Sequence, residues 1–259
     1  MRNKKNKYIY TILLTLAIIA FSSIVAAAAP ATVDIPSVNI DIGGDGTAND
    51  YVSNIKLLIF FTILSLLPSI VIMVTSFTRI VIVFSFLKNA MGVTQSVPNQ
   101  ILVGLALFLS LFIMAPVFTQ VNEQAIQPYL NETMTQEDAI EVGGKPIKEF
   151  MLRQTREKDL ALFVEISGID TENLTEEIEL PIYIIIPAFS ISELKTAFQI
   201  GFLLYLPFLI IDIVVGSILM SMGMFMLPPV MVSLPFKLLL FVMVDGWYLL
   251  VKSLIMSFG

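Results

Sequence analysis

Four apolar runs alternate with polar stretches along the chain. The first extends from Ile55 to Phe86 and is interrupted by Pro68 and Arg79. The second goes from Ile101 to Phe118, with Pro98 before it and Pro116 near its end. The third, Phe198 to Met226, carries one charge, Asp212, and the fourth, Val230 to Phe258, carries Lys237, Asp245 and Lys252. Each is about as long as the roughly 20 residues that cross a bilayer. Between the second and third runs, residues 120–181 hold fourteen acidic and five basic residues. There Glu149–Phe163 sets Phe150, Met151, Leu160 and Phe163 among charges near the spacing of an amphipathic helix, with Gly143, Gly144 and Pro146 before it as breakers. The pattern predicts an all-α membrane protein of four long, kinked apolar helical segments forming hairpins, plus a small helical external lobe. The expected divisions are a signal peptide at 1–28, a flexible leader at 29–51 and a first apolar hairpin at 52–119. A soluble acidic lobe follows at 120–181, then a second apolar hairpin with a Met-rich turn at 182–259.

The signal peptide rests on Arg2, Lys4, Lys5 and Lys7, an apolar run from Tyr8, and small residues at Ala26–Ala29. A basic head, a short greasy middle and an A-x-A site are what a signal peptidase requires, and cleavage is expected near Ala27 or Ala28. Charge sets the orientation of the rest. The connection from Arg79 to Asn99 is basic, with Arg79 and Lys88 and no acid, and the 120–181 lobe is acidic. Positive loops stay in the cytoplasm, so both termini and the lobe are expected outside.

Composition narrows the chemistry. The chain has 259 residues, 56% apolar and 14% charged, against about 45–50% and about 25% for soluble domains. It has no cysteine and no histidine, so disulfides, thiolate chemistry, Ser-His-Asp catalysis and the usual zinc sites are out. A net charge of −6 argues against nucleic-acid binding. No enzyme activity, cofactor or metal is expected. Arg79, Asp212 and Asp245 are expected as buried charges, because ionised groups at membrane depth face protein or a water-filled cavity. In a hairpin turning at Pro228-Pro229, Asp212 and Asp245 lie about equally far from the turn, and Lys237 lies closer, where it could offset Asp212. The pair of aspartates leaves open a proton-coupled transporter. An intramembrane aspartyl protease is disfavoured, since Ile211-Asp212-Ile213 and Asp245-Gly246-Trp247 lack that class's contexts.

The turn itself alternates methionine: Met220, Met222, Met224 and Met226, with Phe225, then Leu227-Pro228-Pro229. A period of two does not follow a helix face, and Gly223 with two prolines favours an irregular stretch. Such backbone is tolerated at membrane depth only inside protein or along a cavity. Flexible thioethers from several subunits would make an adaptable apolar constriction.

Five stretches carry a family resemblance: Phe150–Glu157 (FMLRQTRE), Pro187–Phe202 (PAFSISELKTAFQIGF), Pro207–Asp212 (PFLIID), Met222–Pro229 (MGMFMLPP) and Leu234–Trp247 (LPFKLLLFVMVDGW). In their order and over the region from about Ile55 onward, the chain resembles the FliP family of the flagellar type III export gate. The virulence-system homologues are the neighbouring branch. The resemblance implies a homo-oligomeric ring that joins FliQ and FliR, has FlhA and FlhB nearby, and passes unfolded flagellar proteins at the basal body in the bacterial cytoplasmic membrane. It implies a pore gasket at Met224, Phe225 and Met226, with Phe225 standing where the family often has methionine; the flanking Met220 and Met222 are expected to join the gasket and compensate for its stiffness. It also implies an inter-subunit ion pair between Glu193 and Lys237.

Overall fold

The computed structural model describes residues 48–93, 97–169 and 177–259, with side chains from Ile55 onward. The signal peptide expected over 1–28 and nearly all of the 29–51 leader lie outside the described residues. Among the described residues every regular element is helical. Helix α1 is Ala48–Met73, so the last residues of the expected leader are helical. Then follow α2 (Phe77–Met91), α3 (Asn99–Val121), a π-helical turn (Asn122–Ile126), α4 (Gln127–Leu130), α5 (Gln136–Gln154), α6 (Glu157–Ser167), a 3-10 turn (Glu177–Glu179), α7 (Ile182–Ser221), α8 (Pro229–Met243) and α9 (Gly246–Met256). The chain divides into two compact units at Phe61/Thr62. In the first unit the described residues belong to α1. The rest of this section concerns the second.

Two apolar runs turn out to be broken. The first splits into α1 and α2 at Val74–Ser76, where Thr75 and Thr78 hydroxyls both donate to the Ile72 carbonyl. Hydroxyls that bond nearby carbonyls compete with the helical ladder, and Thr75, Ser76 and Thr78 put three of them at this point of the run. The fourth run splits into α8 and α9, bent by 63°. The hinge is Asp245, whose φ of 50° is left-handed, a conformation that Asp tolerates better than most residues. Conversely, the expected breakers Gly143, Gly144 and Pro146 lie inside α5. Pro187 and Pro207 lie inside the 40-residue α7. Gly143 and Pro146 are buried, and tertiary packing there outweighs local propensity. The amphipathic stretch 149–163 is likewise two helices, parting at Thr155-Arg156.

α2 is the central element. Phe77, Ile80, Val83, Phe84, Leu87, Ala90 and Met91 are all buried and pack with Leu102 and Ala106 of α3, Ala197 and Phe208 of α7, Phe241 of α8, and Leu250 and Leu254 of α9. α7 approaches α2 closely at Gly201, where an added Cβ would lie 2.5 Å from the Phe86 ring. A second core joins Met114 and Val117 of α3 to Phe150 and Met151 of α5, Leu160 of α6, and Ile184, Ile185, Ala188 and Phe189 of α7. α7 therefore runs through both cores. Among the described residues, three helical stretches, 55–73, 99–130 and 182–221, are long and apolar enough to cross a membrane, or four if the bent α8–α9 pair counts as one span.

Candidate functional site

The Met-rich segment is the tip of the α7–α8 hairpin, and its backbone is closed by its own hydrogen bonds. α7 ends in a Schellman motif. Gly223 takes φ +77°, its N–H donates to the Met220 carbonyl, and the Met224 N–H donates to the Leu219 carbonyl, at 3.0 Å each. Only glycine adopts that φ without strain, so the sequence Met222-Gly223-Met224 stops the helix there. Pro228 and Pro229 then start α8, with proline at its first position where no N–H is needed. The fixed backbone presents free side chains: Met220, Met222, Met224, Phe225 and Met226 are all exposed, Met226 at 97%. None of the five is held by the core of its own chain.

The hairpin's stems are tied by a charge cluster about 12–15 Å below the tip, counted at the helical rise. The Lys237 ammonium donates to Asp212 Oδ2 at 2.6 Å and to the Ala90 carbonyl at 3.0 Å. The Ser233 hydroxyl donates to the other Asp212 oxygen. Lys237 is buried and Asp212 mostly so. Ala90 lies in the last turn of α2, which Gly92 caps in the left-handed region. A cation on that terminus satisfies a carbonyl the helix leaves unpaired and complements the helix dipole. One lysine thus fastens both hairpin stems to the central helix.

A second cluster surrounds Arg79, buried on α2 with 2% exposure. Its five N–H donors are all used. Nε donates to Glu193 Oε2 at 2.8 Å and one Nη2 donor goes to Glu193 Oε1, a bidentate pair with a carboxylate of 0% exposure. The other Nη2 donor goes to the Gln154 side-chain oxygen, and Nη1 donates to both the carbonyl and hydroxyl oxygens of Ser257, all at 2.9 Å. The guanidinium also lies 3.8 Å from the centre of the Phe258 ring. A single side chain thereby joins α2, α5, α7 and the segment after α9. Beside it, the buried Ser192 hydroxyl accepts from the Arg156 backbone N–H at 3.1 Å and donates to Asp159 at 2.7 Å. That bond, followed by the Arg156 guanidinium, holds the Asp159 carboxyl below its usual range against a partial opposing effect of burial.

The sequence-predicted residues are therefore distributed as follows. Arg79 and Asp212 are buried or mostly buried and paired. Asp245 is exposed on its own chain, at the α8–α9 bend, because its left-handed backbone turns it away from the core; Asp212 and Asp245 do not share a site. Glu193 and Lys237 are not brought together within the chain: each has another partner, Arg79 and Asp212 respectively. Sequence reasoning missed Ser233, Gln154, Ser192, Ser257 and Phe258 as partners. Ser233 was findable, since it stands one helical turn before Lys237. The others are remote in sequence and gave no local signal. Among the described residues no group of three or more acidic side chains could hold a metal ion.

Comparison with known proteins gives the family. The profile of the FliP family matches residues 60–254. The flagellar biosynthetic protein FliP of Bacillus subtilis (strain 168) is 52% identical over 219 residues, covering 85% of this chain and 98% of the relative. The protein of that name from Aquifex aeolicus (strain VF5) is 49% identical over 224 residues, 86% of this chain and 92% of the relative. That of Pectobacterium carotovorum subsp. carotovorum is 52% identical over 205 residues, 79% of each. With three quarters of its length inside the profile and about half of its aligned residues identical to those of relatives of similar size, this chain belongs to the FliP family.

Proposed function

We propose that this chain is a pore-forming subunit of the flagellar type III protein export gate. Several copies assemble as a ring with FliQ and FliR in the bacterial cytoplasmic membrane at the flagellar basal body, with FlhA and FlhB nearby. Unfolded flagellar proteins pass through the central duct. The role is structural rather than catalytic. The relatives' shared name, flagellar biosynthetic protein, supports the flagellar setting.

The observation that carries the reading is the hairpin tip. Five large apolar side chains, Met220 to Met226, stand free on a backbone that its own hydrogen bonds hold still. On an isolated soluble surface such a cluster would be an aggregation hazard. Gathered from several copies around an axis, the same side chains exclude water and ions, because an apolar constriction dewets. Thioethers change rotamer easily and so yield to an extended chain of any sequence. Phe225 adds bulk with less compliance. The Asp212–Lys237 cluster keeps the stems in place while the tip deforms.

Ion conductance and export test this directly. Met224→Ala with Met226→Ala is expected to leave assembly intact and to raise ion leak through membranes carrying the gate. Unchanged conductance in a fully assembled double variant would remove the gasket from the mechanism.

A further inference from the structure

Helix α9 is apolar on two opposite faces. Gly246, Leu250 and Leu254 form the inward stripe, buried at a spacing of four. Gly246 is pressed so tightly on Phe241 that an added Cβ would lie 2.3 Å from its ring, and Phe241 in turn meets Trp247 edge-on at 5.5 Å. The bend ahead of α9 is therefore tightly packed. The outward stripe is Asp245, Tyr248, Leu249, Lys252 and Met256, and every one of these is exposed. Tyr248, Lys252 and Met256, spaced by four, follow one helix face with Leu249 beside them, and Asp245 stands at its start.

That outward stripe holds an acid and a base one heptad apart on an otherwise apolar surface. Among the described residues Asp245 has neither an ion pair nor a side-chain hydrogen bond, and Lys252 has only the Tyr248 ring, at 5.6 Å. A lysine can extend its stem toward water, but an aspartate cannot reach far. An ionised carboxylate held within an apolar span is expensive unless a cation meets it. The stripe carries its own complement, since the charge Asp245 needs is present on a second copy.

We propose that the outward face of α9 is an interface between copies of this chain, in which Asp245 of one copy meets Lys252 of the next. This rests on the ring reading above. α9 is bent by 63° from α8, so the two helices cannot both run along the ring axis. The Asp245 end of one copy then meets the Lys252 flank of its neighbour, a head-to-tail contact that repeats around a closed ring. Tyr248 and Leu249 supply the apolar surround that shields the pair from solvent and strengthens it.

The chain has no cysteine, so thiol chemistry can be placed at will. Full-length Asp245→Cys and Lys252→Cys variants with different tags are co-expressed, and their membranes are treated with a short bis-maleimide. The expected product is a cross-linked species bearing both tags, far more abundant than with Lys252→Cys against Ile140→Cys, an exposed lobe position. Asp245→Asn, which tolerates the left-handed backbone, and Lys252→Gln serve as neutralising variants. Each is expected to weaken association by roughly tenfold, and the two together no more than either alone. A wild-type particle whose native mass is that of one copy overturns the ring and this contact with it. An assembled wild-type ring without doubly tagged product, or with additive effects of the two neutral variants, overturns the contact alone.

Discussion

Replacing Glu193 by alanine removes the acceptor of two of the five Arg79 donors and leaves a guanidinium of 2% exposure facing a void. The reverse change, Arg79→Ala, strands a carboxylate of 0% exposure and also frees Gln154 and Ser257. Breaking a buried pair from one side costs about 3–5 kcal/mol. Arg79→Ala belongs at the upper end, because hydrogen bonds from a charged donor contribute about 1.5–3 kcal/mol each and three more are lost. At this chain length the single variants should unfold roughly 6–20 °C lower. The double replacement Arg79→Met with Glu193→Met removes both charges and refills the space. Apolar substitution of a whole buried pair is often neutral or better, so it should recover most of the Glu193→Ala loss. Recovery stays incomplete because Ser257 and Gln154 still lack their donor. Thermal unfolding of the detergent-extracted protein, followed by circular dichroism and by trypsin resistance, measures all four proteins. Single variants as stable as wild type, or a double variant no better than the worse single, would refute the claim that the pair is buried and coupled.

Three further outcomes follow from the same geometry. Gly201→Val drives a side chain into the Phe86 ring and should destabilise by about 1–3 kcal/mol, with Phe86→Ala in the same chain restoring part of it; a neutral Gly201→Val would mean that α2 and α7 are farther apart. Lys237→Met should make the α7–α8 hairpin more open to protease, because Asp212 and the Ala90 carbonyl lose their cation, and Asp212→Asn in that background should relieve the excess charge; identical proteolysis of wild type and Lys237→Met argues against the tie. Asp159 has a depressed folded-state pKa, so its contribution is present above the ordinary carboxylate value of about 3.9 and is lost as pH falls through the lower folded value. Ser192→Ala should shrink that acid-side loss, and an acid-unfolding profile unaltered by it would remove the Ser192 hydroxyl as the cause.

What could be read from the amino acids alone follows the range of the interactions involved. The Met-rich tip was legible because Gly223, Pro228 and Pro229 act on their own backbone, and Lys237 near Asp212 was legible because the turn sets which stem residues meet. Arg79 was recognisable as a charge in need of shelter, but Glu193 lies 114 positions away and nothing local links them. The helix breaks were misjudged in both directions for one reason. Gly143 and Pro146 oppose helix locally and are overruled by the packing that buries them, whereas the break at Thr75–Ser76 and the hinge at Asp245 carry neither glycine nor proline at the break itself. Periodicity also reports which faces are apolar without saying whether lipid, the chain itself or a neighbour covers them, which is why Asp245, expected as a buried charge, is exposed on its own chain.

The reach of Arg79 has a consequence for synthesis. Ser257, which takes two of its donors, is translated 178 residues later. At about 5–20 residues per second that is an interval of roughly 10–35 seconds. Throughout it the ribosome has not yet delivered the partner, and the nascent chain must hold a guanidinium whose coordination is still unfinished.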